Sequence, residues 1–276
     1  MKRRLIIPFT YLCLLLCALL FISPIGLLLA GSLKPDDLVL VESGSWRALW
    51  PASASLDNYR DVFSRVDFTH YLLNSLFING MILGLGLLLN SIAGYAFARL
   101  SWRGRGLLFN LVLAVMIIPL EAIAVPLFYI VSLLGWRDTY LVQILPFIAN
   151  AFSIYLFYTY FIGMPRELEE AAHIDGAGVV RTYFTIILPN AKPVFASVAI
   201  LTFLTQWGAF LWPLLVTSGE SVRPLPLAIA TFHGLPPLRW GDLFAFGVMM
   251  VLPILSLFLL FQRLFVRGVA ATGIKG

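Results

Sequence analysis

Between residues 71 and 98 the chain carries no charged side chain, and the same is nearly true of 5–33, 107–134, 139–163, 194–217 and 243–265. An α-helix rises 1.5 Å per residue, so about 20 apolar residues cross the roughly 30 Å hydrocarbon core of a bilayer. Each run is long enough, and in lipid only helices and closed barrels satisfy their own backbone hydrogen bonds. These runs predict an all-α, polytopic membrane protein with six transmembrane helices. The composition agrees: 60% of the 276 residues are hydrophobic and 12% are charged, where a soluble domain carries about 25% charged residues.

Lys2, Arg3 and Arg4 precede the first run. A secretory signal has such a charged start but an apolar stretch of only about 7–15 residues, so 1–33 reads as a retained first helix with a cytoplasmic N-terminus. Cys13 and Cys17, one turn apart within it, read as lipid-facing or packing thiols. Residues 34–70 are mixed and polar, with Asp36, Asp37, Glu42, Asp57, Asp61 and Asp67, and read as an external loop. In the second run Gly80, Gly84 and Gly86 offer small surfaces for helix packing. Arg99, Arg103 and Arg105 follow in a short loop. Arg137 and Asp138 mark an outside turn, and 218–242 returns outside. There PLPLAIATFHGLPPL is apolar but too short and proline-rich to span. Lys2, Arg3, Arg4, Arg99, Arg103, Arg105, Arg166, Arg181, Lys192, Arg263, Arg267 and Lys275 then fall on the cytoplasmic side, with fewer basic residues outside. That bias supports both termini in the cytoplasm. It also accounts for the net charge of +5 without a nucleic-acid partner.

One long polar segment, PRELEEAAHIDGAGVVRTYFTIILPNAKP at 165–193, separates two uncharged runs. Pro165 suits a first helical turn, and Glu167, Glu169 and Glu170 place negative charge at the positive end of the helix dipole. A helix is expected from here through Ala171, Ala172 and His173, stopping near Gly176, where glycine can adopt the left-handed closing conformation. A second helical piece is expected from about Val179 to Leu188, with Pro189 and Pro193 before the next run.

Glu170, Ala171 and Ala172, then Gly176, then Ile186, Leu188 and Pro189 resemble the EAA loop of ABC importer permeases. The form EAAHIDGAG with a later ILP is similar to the carbohydrate-uptake, maltose-permease-like branch. SLDNYRDVF with YLLNSL, and the tail FVRGVAATGIKG, extend the resemblance from about residue 56 to the end. It implies a type I ABC importer permease fold, with a transmembrane type-1 domain at 71–265, a coupling loop at 164–193 and a cytoplasmic tail at 266–276. In such a permease the loop docks on a separate ATPase. Glu167, Glu170 and Asp175 would pair with its basic groups, Ala171 and Ala172 would permit close approach, and Gly176 would fix the turn. The resemblance also implies a second, non-identical permease subunit, two ATP-binding cassette subunits and an external solute-binding protein. ATP and Mg would be used by the ATPase, with no cofactor bound by this chain.

The membrane runs offer fewer chemical candidates. Glu121 is the only carboxylate in them, and an ionisable group in a span defaults to a functional site; a solvated position near the outer surface explains it equally well. Pro119 and Pro126 are expected to kink the third run beside it. Asn150 and Tyr155 in the fourth run and Gln206 and Trp207 in the fifth suit an uncharged, hydroxyl-rich solute, and interhelical hydrogen bonding explains them too. Gly208 and Ala209 stand where this family commonly has a polar pair, so its solute contacts do not carry over there.

No G-x-x-x-x-G-K-[ST] is present, so ATP-driven motion must come from another chain. No Cys/His spacing suits a metal. A sugar importer subunit is the preferred reading, with glycerol phosphate or another polyol derivative as an alternative solute. A proton-coupled transporter using Glu121 would want inverted repeats and further buried charges. A membrane enzyme would want paired catalytic groups.

Overall fold

A computed structural model describes the backbone of residues 2–273 and the side chains of residues 9–260 and Gln262. The basic groups Lys2, Arg3, Arg4, Arg263, Arg267 and Lys275 lie outside the described side chains. The regular elements among the described residues are all helices, with no strand. In chain order the helices are α1 (Lys2–Ser32), α2 (Asp36–Val41), α3 (Asp57–Arg65), α4 (Phe68–Arg99), α5 (Arg105–Met116), α6 (Leu120–Leu133), α7 (Tyr140–Ile148) and α8 (Ala151–Ile162). They continue as α9 (Glu167–Ile174), α10 (Val179–Thr182), α11 (Leu188–Asn190), α12 (Lys192–Trp207), α13 (Leu211–Val216), α14 (Leu225–His233) and α15 (Trp240–Gly273). A π-helical turn at Tyr183–Ile187 runs between α10 and α11.

Phe9–Ser32, Phe68–Arg99, Tyr140–Ile162 and Trp240–Leu260 are long and apolar enough to cross a membrane, and two bent pairs bring the total to six. The first bent pair differs from the single kinked span expected over 107–134. Its two halves, α5 and α6, meet at 103°. The break falls at Ile117–Pro119, where Pro119 is extended (ψ 150°), whereas Pro126 is carried inside α6. The expected fifth span, 194–217, is also divided: α12 ends at Trp207, and α13 resumes at Leu211. Pro165 precedes the N-cap Arg166 of α9 and so lies just before the helix it was expected to open.

The chain forms two compact units. The first comprises residues 1–71 and 227–253. The polar segment predicted as a loop at 34–70 is here ordered by buried polar contacts. Lys34, 2% exposed, pairs with Glu42 at 2.8 Å and donates to the Arg47 carbonyl at 2.5 Å. Asn58 Nδ2 donates to the carbonyls of Ser32 and Lys34 at 2.8 and 2.7 Å, closing the end of α1. Arg65 pairs with Asp242 at 2.8 Å, donates to the carbonyls of Leu235 and Pro237, and lies over the Phe232 ring. Arg239 pairs with Asp61, and the Gly241 N–H donates to Asp36 Oδ1. Asp242, counted with the external segment in the sequence, is a fully buried carboxylate in the first turn of α15.

The second unit comprises 72–226 and 254–276. Its main core joins Tyr95 and Ala98 of α4, Phe157 and Phe161 of α8, Tyr183 and Ile187 of the π turn, and Val194 and Val198 of α12. Helices approach closely at two glycines of α4, the expected Gly86 and also Gly94. Gly86 faces the Ile148 carbonyl, where an added Cβ would lie at 3.2 Å, and Gly94 faces Phe157 Cβ at 2.5 Å. A Cβ added at Gly80 or Gly84 would meet nothing within 4 Å in this chain. The α7–α8 break is stitched by Asn90: its Nδ2 donates to the Ile148 carbonyl at 3.0 Å, and its Oδ1 accepts from the Asn150 N–H at 2.9 Å.

The turn at 137–138 is held by Asp138, whose φ is 56°. Its Oδ1 accepts from the N–H groups of Ser218 and Gly219 at 2.7 and 3.0 Å. The Gly219 bond leads the causes that hold this carboxyl below the usual aspartate pKa, with Ser218 and Arg137 adding to it. A lowered folded-state pKa contributes stability that is present above the unfolded value and lost as pH falls through the folded one. Amide-exchange protection factors at Ser218 and Gly219 are therefore expected to fall on acidification. In Asp138→Asn, which keeps an acceptor and loses the titration, they should not vary with pH. Equal acid sensitivity of both proteins would refute the tether.

Candidate functional site

The polar segment at 165–193 forms as four helical pieces with defined joints: α9, α10, the π turn and α11. The first turn of α9 carries Glu167, Glu169 and Glu170, where the unpaired N–H groups of a helix start favour negative charge. The helix closes at Gly176, whose φ of 79° suits glycine. There the Gly176 N–H donates to His173 and the Ala177 N–H to Ala172, at 3.0 and 2.9 Å. A short turn leads to α10, the π turn and α11.

The faces of this segment are distinct. Glu167, Glu170, Ala171, Asp175, Gly176 and Pro189 are exposed, together with Ile174 at 86% and Val180 at 70%. Ala172 is buried, and Ile186 and Leu188 are half-buried. The fully seated anchors are Tyr183 and Ile187, which the motif did not single out; Tyr183 shares a 2.7 Å hydrogen bond with Ser91 of α4. Glu169 turns inward to Arg99, with Oε2 at 3.7 Å from Nε. Arg99 also donates to the Met164 carbonyl. A cleft of about 450 Å3 opens beside this pair, lined by Tyr95, Glu170, His173, Ile174 and Val179 among others.

A second, small cavity of about 20 Å3 lies where α12 breaks from α13, lined by Asn79, Gln143, Gln206, Trp207 and Trp212 among others. The side-chain oxygens of Asn79 and Gln143 are buried there without a hydrogen-bond partner. Trp207 is buried and stacks on Phe203, while Trp212 donates to the Val142 carbonyl at 2.9 Å.

Residues 83–271 match the family described as binding-protein-dependent transport system inner membrane component. The chain belongs to this family. Among full-length relatives, the arabinooligosaccharides transport system permease protein of Bacillus subtilis (strain 168) is 34% identical over 95% of this chain and 93% of its own length. The trehalose/maltose transport system permease protein of Thermococcus litoralis is 34% identical over 81% and 82%. The trehalose transport system permease protein of Mycobacterium tuberculosis is 33% identical over 92% of each. A crystal structure of a bacterial ABC transporter involved in import of the acidic polysaccharide alginate shares the fold. Its TM-score is 0.84 at 22% identity, covering 95% of this chain and 97% of that one.

As an inner membrane component of a binding-protein-dependent system, the chain is a transport subunit, and ATP hydrolysis belongs to a separate chain. Of the solute candidates read from the sequence, Gln206 and Trp207 meet at one cavity. Asn150 instead caps α8, accepting from the Ser153 N–H at 2.8 Å. Tyr155 is half-buried in α8 outside the cavity, and Glu121 is exposed in the first turn of α6. No group of three or more His, Cys, Asp or Glu suited to a metal occurs among the described residues. Sequence reasoning missed Asn79, whose amide is ordinary in type and becomes notable only through its burial.

Proposed function

We propose that this chain is one permease subunit of an ATP-binding cassette importer for a sugar or sugar-like solute, coupled through residues 165–189 to a separate ATPase. The observation that carries the proposal is the presentation of α9. Glu167, Glu170 and Asp175 stand exposed beside Ala171 and the bare Ile174, on a helix stopped by Gly176. Exposed carboxylates with an apolar neighbour suit a partner cleft offering basic and apolar groups. The relatives named for arabinooligosaccharides, trehalose and maltose support the solute class.

In this reading the working assembly has a second, non-identical permease subunit, two ATP-binding cassette chains that use ATP and Mg, and an external solute-binding protein. The cell membrane holds the chain with both termini in the cytoplasm. Closing of the ATPase pair on ATP carries α9 with it and turns the flanking spans, exposing the pathway outward, and hydrolysis resets it. Glu167, Glu170 and Asp175 pair with the ATPase, Ala171 and Ala172 allow close approach, and Ile186, Leu188 and Pro189 hold the return of the loop.

The test is uptake of a labelled sugar panel by cells carrying this chain with its natural partners, with and without an ATPase disabled in its Walker motif. Uptake of one sugar that needs the active ATPase is expected. Uptake that survives the disabled ATPase and collapses with the proton gradient would overturn the proposal and return attention to Glu121. Glu170→Lys combined with Gly176→Asp should abolish co-purification of the ATPase; intact binding and uptake would refute the coupling role.

A further inference from the structure

Arg99 ends α4 and was assigned from sequence to an ordinary cytoplasmic basic loop. Its side chain is 5% exposed. Removing a guanidinium from water costs several kcal/mol unless it is well paired, and here the pairing is incomplete. One terminal nitrogen donates to the Met164 carbonyl, Nε stands 3.7 Å from Glu169 Oε2, and Nε has no hydrogen-bond acceptor. Arg103 and Arg105, in the same loop, are exposed. A residue that only satisfied the positive-inside bias would lie with them.

The partners of Arg99 give the burial a direction. Met164 is where the chain leaves α8 for the coupling loop, and Glu169 is in the first turn of α9. One turn earlier on α4, Tyr95 lines the same cleft as Arg99 and Glu169. Further along, Ser91 is bonded to Tyr183 in the π turn. Helix α4 therefore holds the segment at its start, in its helix and in its return. None of these contacts involves the helices that flank the segment in sequence.

We infer that Arg99 is a positioning residue that locks the coupling helix to α4 through Glu169 and Met164, so that the second span moves with the loop. The inference rests on the coupling role proposed above. It separates Glu169 from its acidic neighbours: Glu167 and Glu170 face outward and are free to meet a partner, whereas Glu169 is committed inside the chain. The 3.7 Å separation leaves the pair room to tighten or part as the loop is displaced, and a contact with two available arrangements is what can carry coupling.

The experiment uses the complete transporter, with its partner permease and ATPase, in liposomes loaded with ATP on the ATPase side. Co-purification of the ATPase, ATP hydrolysis and solute transported per ATP are measured for wild type, Glu169→Gln and Arg99→Lys. Glu169→Gln is nearly isosteric. It should retain the ATPase and hydrolyse ATP within about twofold of wild type, while solute moved per ATP falls about tenfold. Arg99→Lys should lie between, because an ammonium can meet Glu169 as a point charge but lacks the planar fork that also reaches Met164.

A merely structural role would lower ATPase retention and hydrolysis along with transport and leave the ratio unchanged; that result would overturn the inference. Loss of the ATPase in Glu169→Gln would overturn it differently, by placing Glu169 in the interface with the ATPase. If the wild-type assembly itself neither retains an ATPase nor moves solute with ATP, the coupling reading fails, and the inference falls with it.

Discussion

Gly94→Val is expected to prevent α4 and α8 from seating against each other and to leave little folded protein. A Cβ on residue 94 would lie 2.5 Å from Phe157 Cβ, 3.0 Å from the Tyr158 nitrogen and 3.1 Å from the Ile154 carbonyl oxygen. Two of these are backbone atoms and the third is the first side-chain carbon of a fully buried phenylalanine, so no flexible end can swing aside. Overpacking typically costs about 1–3 kcal/mol, and valine would add two further methyls to the clash, so the upper part of that range or more is expected. Gly80→Val and Gly84→Val are the controls, because nothing in the chain lies within 4 Å of a Cβ at either site. Thermal unfolding of the chain in detergent should separate them clearly. A Gly94→Val protein that melts with the two controls would contradict the packing described for this unit.

The second large effect is expected at Arg65. Arg65→Met removes the counter-ion from Asp242, a carboxylate with no exposed surface and one oxygen already without a partner. It also removes the donor to the Leu235 and Pro237 carbonyls. Breaking a buried pair on one side costs about 3–5 kcal/mol, because the remaining charge is stranded, whereas replacing both sides with apolar groups can be nearly neutral. Arg65→Met/Asp242→Leu should therefore recover most of the stability that Arg65→Met loses, as read by the same unfolding measurement. A double variant no better than the single one would show that the carbonyl contacts of Arg65, rather than its charge pairing, hold this region.

What could be read in the sequence divides along a physical line. The six apolar runs and the acidic start and glycine stop of α9 are local properties, because charge, helix dipole and left-handed backbone act within one or two turns. The same reasoning could not reach Arg65 and Asp242, which are separated by 177 positions, or Arg99 and Met164, separated by 65. Pairing over such distances turns an apparently solvated charge into a buried one, and no local pattern announces it. Helix breaks fall between these cases. Pro119 was visible as a kink, but the 103° bend depends on what each half packs against. Gly86 and Gly94 differ from Gly80 and Gly84 only in which face of α4 meets another helix.

Asn90 uses both ends of its amide to hold the joint between α7 and α8, one end on the last carbonyl of α7 and the other on the N–H of Asn150. Both of these bonds go to backbone, and the backbone it serves has the same two groups whatever side chains surround it. For anyone wishing to retarget the transporter, this divides the fourth span into parts of different standing. The exposed and half-buried side chains along α7 and α8 are adjustable parts, whereas the buried Phe157 and Phe161 and the joint belong to the frame. A library that varies the exposed positions of this span can thus leave Asn90 untouched and keep the joint intact.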